Sequence, residues 1–147
     1  MTSNLDLHAD LQRDGYDVAM LRLSKLLLIN DANYPWLVLV PQRPRKHDFH
    51  DLDPMDQYRV CDEITMCSEA LQQLYSPDKI NVAALGNVTP QLHIHIIARF
   101  HDDPAWPAPV WGKIPAKFYE VQALDQRLVE LRDEVTRLMK IRQDPSA

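Results

Sequence analysis

Cysteine is scarce in this chain: Cys61 and Cys67 are the only two in 147 residues. They lie six apart in a predicted helix, which sets them well apart around its axis and argues against a disulfide. No Cys-rich zinc pattern exists. Buried, reduced thiols in a cytoplasmic protein are the expectation. Long apolar runs are missing as well. No stretch approaches the ~18 residues of a membrane span. The N-terminal Met1-Thr2-Ser3-Asn4-Leu5-Asp6 has neither the basic flank nor the apolar run of a signal peptide. Basic charge is also in deficit. A formal net charge of -5 argues against a protein that coats nucleic acid, yet leaves room for a single nucleotide in a local pocket. Internal repeats and low-complexity segments are absent.

What is present fits an ordinary globular protein, 46% hydrophobic and 25% charged. A chain of this length has room for one real core, burying roughly 70% of the surface its unfolded form exposes. The expectation is one domain over residues 1–147, with a core at about 16–115 and a C-terminal helix at about 118–142.

Along the chain, residues 1–15 are polar and end in the turn signal Asp14-Gly15. Val18 to Leu23 leads into Leu26 to Ile29, and Trp36 to Val40 follows after Asn30-Asp31-Ala32-Asn33-Tyr34-Pro35, whose residue types favour a turn. This reads as an antiparallel hairpin whose first strand begins at Val18, or as early as Tyr16. Pro41 and Pro44 stop the second strand, and the basic cluster Arg43 to Lys46 is expected to be solvated. Asp53-Pro54 opens a helix as N-cap and first position. Tyr58, Cys61, Ile64, Ser68, Leu71 and Tyr75 keep helical spacing up to a stop at Ser76-Pro77. Lys79 to Leu85 and Gln91 to Arg99 read as neighbouring antiparallel strands. Asp102 to Pro115, with four prolines, must cross the surface as a loop. Its Trp106 and Trp111 are expected to cover core, with a pocket wall as the lesser reading. Val121, Leu124, Leu128, Leu131, Val135 and Leu138 form a narrow apolar seam on the last helix.

The stretch that carries chemistry is Gly86 to Phe100, which contains Gln91-Leu92-His93-Ile94-His95-Ile96-Ile97. On a strand Gln91, His93 and His95 share one face, and their apolar neighbours share the other. Three readings compete for the histidines. They are idle polar residues on a solvent face, or metal ligands awaiting a third partner that no spacing singles out among His47, His50, His101, Asp102 and Asp103. Or they act on phosphorus. Neutral imidazole keeps a lone pair near pH 7 and attacks without first losing a proton. The phosphoramidate it forms is labile to water, which splits one hard step into two. A second imidazole on the same face can hold the phosphate oxygens. Backbone N–H groups at Gly86 to Thr89 are further donors, because glycine lets backbone approach a ligand.

These residues resemble the histidine triad (HIT) motif, His-φ-His-φ-His-φ-φ with φ hydrophobic, except that Gln91 stands at the first His position. The order of hairpin, helix, strand and motif strand over roughly Leu21 to Phe100 is similar to the family's, and Gly86-Asn87 and Arg99 look like its bacterial branches. The resemblance implies an α+β fold with a mainly antiparallel five-stranded sheet, and a homodimer. It implies a hydrolase or nucleotidyl transferase acting on the α-phosphate of a nucleotide ester, anhydride or phosphoramidate, such as a dinucleoside polyphosphate. His93 is then the nucleophile and His95 a phosphate ligand. Gln91 supplies the backbone carbonyl that fixes the His93 tautomer, so its backbone matters more than its side chain.

By position, Asn30 or Asp31 resembles the family's ribose contact, although both also suit a turn. Asn87 and, more weakly, Thr89 are phosphate contacts, the alternative for Asn87 being a left-handed turn residue. Arg99 shares parity with the histidines and either meets phosphate or is a surface charge. No metal ligand set is specified and no cofactor is required, with Mg²⁺ expected only in company with a polyphosphate. A nucleotide is the expected partner, not nucleic acid or a membrane. Two rivals remain: a nucleotide-binding module that has lost catalysis with the first His, and a metal-dependent hydrolase using His93 and His95 as ligands.

Overall fold

The computed structural model describes residues 5–143. The leader-peptide reading therefore falls outside it for residues 1–4, as does the tail at 144–147. The elements run α1 (Ala9–Asp14), β1 (Gly15–Met20), β2 (Ser24–Ile29), β3 (Trp36–Pro41), α2 (Pro54–Tyr75), β4 (Lys79–Ala83), β5 (Ile94–Arg99) and α3 (Val121–Gln143), with a short 3₁₀ turn at Phe49–Asp51 before α2. This is the expected α+β architecture. The five strands form one sheet in the order β1-β2-β3-β5-β4, and every neighbouring pair is antiparallel.

Strand alternation divides the core between the two faces of this sheet. On one face Leu26, Leu28, Leu37, Leu39, Ile94, Ile96 and Ala98 pack against α2 and α3. On the other face Leu27, Trp36, Val38, Val40 and Ile97 are covered by Leu11 of α1, Tyr34, and Ala105 and Val110 of the long loop. Two helices thus back the sheet, and loops and a short helix line its front. His95 pairs with Val38 and Ala83 in register, so its side chain belongs to that front face.

Several boundaries differ from the sequence reading. Residues 18–29 are not one strand but two, β1 and β2, folded back at Leu21-Arg22-Leu23. The turn carries no Gly, Pro, Asn or Asp. It is held from a distance: Glu63 of α2 accepts the N–H groups of Leu23 and Ser24 at 3.1 and 3.2 Å, while Leu21 and Leu23 are buried. Residues 9–14 form a helix where only a polar lead-in and a turn were read. Lys79 to Leu85 pairs only as far as Ala83, and the strand expected from Gln91 begins at Ile94. Residues 84–93 therefore form a longer connection, fastened where Leu92 N–H donates to the Lys46 carbonyl.

The face of α2 is also rotated from the one read. Val60, Met66, Cys67, Ala70 and Leu71 are buried, while Tyr58 and Cys61 are exposed, so only one of the two thiols is in the core. Arg43 is only partly solvated, forming a bidentate pair with the buried Asp56 at 2.7 and 3.2 Å. On α3, Leu128, Leu131, Val135 and Leu138 are buried as the seam predicts, whereas Val121 is exposed at the helix start. Among the described residues no helix is long and apolar enough to cross a membrane.

Candidate active site

The front of β5 opens into a cleft of about 800 Å³, a size suited to a nucleotide-sized ligand. His93 and His95 lie at its floor, each mostly buried. Trp36, Ile29 and Leu11 form the deep wall. Trp111, Val110 and Ile114 come from the long loop, and residues 85–89 from the β4–β5 connection.

Neighbouring groups set the tautomers of the imidazoles. The His93 ring meets the Gln91 carbonyl through Nδ1 at 2.7 Å. A carbonyl only accepts, so Nδ1 carries the proton and Nε2 keeps its lone pair. His95 is the converse. Trp36 donates its indole N–H to His95 Nδ1 at 3.0 Å, and indole nitrogen is only a donor. The neutral His95 ring therefore has its proton on Nε2. The rings lie edge to face at 4.9 Å, and Trp111 packs edge-on against His95 at 5.0 Å. Burial, with His93 close by, lowers the His95 pKa to about 3. The floor of the cleft thus presents one unprotonated nitrogen beside one neutral N–H donor.

The other expected site residues separate into two groups. Asn30, Asp31, Asn87 and Thr89 do line the cleft. Asn30 and Asp31 already accept backbone bonds that tie the chain before α3 across the β2–β3 loop: Asn30 Oδ1 from Tyr119 at 3.0 Å, Asp31 Oδ1 from Lys117 at 3.2 Å. Thr89 donates its hydroxyl to Asp10 at 2.7 Å. Asn87 follows Gly86, whose φ of 79° places it in the left-handed region that glycine adopts freely.

Arg99 is not at the cleft. Its buried guanidinium forms a bidentate pair with Asp103 at 2.8 and 3.1 Å and also donates to Asn81 and the Ala108 carbonyl. It anchors the start of the long loop to the sheet. Parity with the histidines was real, but the 102–112 loop covers this end of the row.

Gln91 is split between backbone and side chain. Its carbonyl holds His93, while its side-chain amide turns away from the cleft, accepting from His8 N–H at 2.7 Å and donating to the Asp6 carbonyl at 3.3 Å. Sequence reasoning missed Trp36 as the partner of His95 and missed α1, and it ranked core cover above a pocket wall for Trp111, which does both. Strand parity groups Trp36 with Val38 and Val40, yet nothing local tells which face meets His95. Among the described residues no three or more His, Cys, Asp or Glu side chains cluster as a cation site would need.

A model of the HIT domain family matches residues 12–102. The chain belongs to the HIT family. Solved HIT structures agree over nearly the whole length. A histidine triad protein from Bradyrhizobium japonicum is 44% identical, with a TM-score of 0.88, covering 90% of this chain and 99% of that one. One from Marinobacter aquaeolei VT8 is 38% identical, also at 0.88, over 92% and 99%. A HIT protein from Sinorhizobium meliloti 1021 is 36% identical at 0.85, over 88% and 96%. No functionally curated protein matches the chain.

Proposed function

We propose that this HIT protein is a nucleotide hydrolase or nucleotidyl transferase that works through a covalent nucleotidyl-histidine. The carrying observation is the 2.7 Å contact between His93 Nδ1 and the Gln91 carbonyl, which leaves Nε2 as a nucleophile facing the cleft. The carbonyl acceptor does not depend on the side chain at position 91, so replacing the motif's first His removes no part of this device.

In this reading Nε2 of His93 attacks the α-phosphorus of a nucleotide ester, anhydride or phosphoramidate. The P–Nε2 bond forms as the bond to the leaving group breaks, and the leaving group departs with the electron pair and takes a proton from solvent, which the attacking water of the second step returns. His95, neutral, donates Nε2–H to a phosphate oxygen as its charge develops. Water then attacks phosphorus, the P–N bond breaks, and a nucleoside monophosphate leaves with His93 restored. Trp111 and the apolar wall limit competing water.

A panel of dinucleoside polyphosphates and nucleotide phosphoramidates, with mass detection of an adduct on His93, tests this. His93→Ala is expected to fold normally and to lose turnover by roughly a thousandfold or more. Turnover by that variant at the parent rate would sink the assignment. Tight mononucleotide binding with no turnover by the parent would favour a binding module instead.

A further inference from the structure

We infer that the Gln91 side chain is a clasp: a positioning residue that holds residues 6–14 as one wall of the substrate cleft. The inference rests on the proposed function for what the cleft binds, but the clasp itself stands on contacts alone.

The N-terminal segment meets the front core through Leu11 and Leu7, and Asn30 N–H donates to the Asp14 carbonyl at its far end, but its beginning depends on side-chain ties. The helix α1 spans six residues and buries one side chain, Leu11, too short to be stable alone in water. Yet this segment supplies Asp10, Leu11, Arg13 and Asp14 to the cleft lining. Two ties join it to the catalytic connection. At one, Gln91 accepts from the backbone N–H of His8 and donates to the carbonyl of Asp6. At the other, Thr89 donates to Asp10.

The residue grasped by Gln91 is the one that starts the helix: His8 is the N-cap of α1, its Nδ1 accepting from Asp10 N–H at 3.1 Å. Fixing His8 therefore fixes where the first turn begins, and with it the wall. A primary amide suits this task. Like a backbone peptide group, it offers an acceptor and a donor side by side, and can pair with a carbonyl and an N–H of the same segment. The two nitrogens of an imidazole point apart and do not reproduce that pairing.

The connection leading into β5 thus uses position 91 twice. Its carbonyl orients His93, and its side chain ties down the segment that begins α1. A change at the side chain alone should loosen the wall without touching the nucleophile.

The test compares the full-length parent with Gln91→Met, of similar size but unable to form either bond, and Gln91→Glu, which keeps the acceptor for His8 and loses the donor to Asp6. Hydrogen exchange by mass spectrometry on peptides covering residues 5–14 reads the clasp, and AMP affinity reads the wall. Neither needs turnover, so an inactive parent would overturn the proposed chemistry and leave this test intact. Gln91→Met is expected to lose protection across 5–14 by about tenfold or more and to bind AMP about tenfold more weakly, with Gln91→Glu between it and the parent. With a substrate that is turned over, KM should rise by about tenfold while kcat stays within about threefold.

Protection and affinity both unchanged in Gln91→Met would overturn the clasp. So would weaker AMP binding with protection intact, which would place the side chain in direct contact with ligand. Lost protection with parent affinity would remove residues 5–14 from the cleft wall. If Gln91→Met does not fold, the ordering of Gln91→Glu against the parent decides on the same two readouts.

Discussion

His95 shows how a residue's chemistry follows from where a strand carries it. On an exposed strand an imidazole would gain a proton near its reference value of about 6.5. Here β5 sets it between Trp36 and Trp111, under a cover that makes the charged form costly. Its folded pKa falls to about 3, below the unfolded value. Between those values the unfolded chain binds the extra proton and the folded chain does not. The stabilising contribution is therefore complete above about pH 6.5 and is lost as pH falls toward 3. Ring nitrogen-15 spectra are expected to show His95 neutral, protonated on Nε2, from pH 8 down to pH 5. Denaturant unfolding should show the parent losing roughly 2 kcal/mol more stability than His95→Asn between pH 7 and pH 5. A His95 ring that gains its proton near pH 6.5 would contradict both. Trp36 enters here by its N–H, a partner no spacing in the motif points to.

At the scale of elements, Glu63 decides a turn forty residues away. The carboxylate is buried and its pKa is raised, chiefly by burial. For a carboxyl raised in the folded state the linkage runs against stability as pH climbs through the window above its unfolded value, because the folded chain must then give up a proton it holds favourably. One oxygen, Oε2, nonetheless accepts from both Leu23 and Ser24 N–H. Glu63→Gln keeps an acceptor and removes the buried charge, so urea unfolding at pH 7 should place it within about 1 kcal/mol of the parent. Glu63→Ala strands two buried N–H groups and should cost about 2–4 kcal/mol. Equal costs for the two variants would remove Glu63 as the support of this turn.

The same contact explains what the sequence did and did not disclose. The hairpin of β2 and β3, the proline-led start of α2 and the seam on α3 rest on local periodicity and on proline's fit to a first helical turn, and were legible. The β1–β2 fold-back and the face of α2 depend on Glu63, Asp56 and Arg43 meeting across the fold. Local pattern has no term for such long-range pairing. At the site, His93 and His95 were legible because their two-residue spacing at the entry to β5 is local, although only His95 lies in the strand itself. The Gln91 side chain, Arg99 and Trp36 were not, because their partners come from α1, the long loop and β3.

Over the whole molecule, helices back one face of the sheet, so the site must be walled by what remains: α1, the β4–β5 connection and the 102–115 loop. The loop has no sheet or helix of its own and depends on its anchor. Asp103 supplies that anchor, pairing with Arg99 and accepting from the N–H groups of Phe100, Ala105 and Trp106. Arg99 in turn grips the Ala108 carbonyl from the same buried position. Trp111 lies three residues beyond that grip, against His95. Asp103→Ala leaves the Arg99 charge buried without its carboxylate, which should cost about 3–5 kcal/mol in denaturant unfolding. The folded fraction should also bind AMP more weakly by about tenfold, because the wall bearing Trp111 is no longer pinned. Asp103→Asn keeps one acceptor oxygen, enough for the Ala105 and Trp106 N–H groups but not also for Phe100, and should retain most of the affinity while losing part of the stability. The two variants separate the charge from the turn. If both bind AMP as the parent does, the loop positions Trp111 without its anchor, and the cleft is built by its apolar contacts alone.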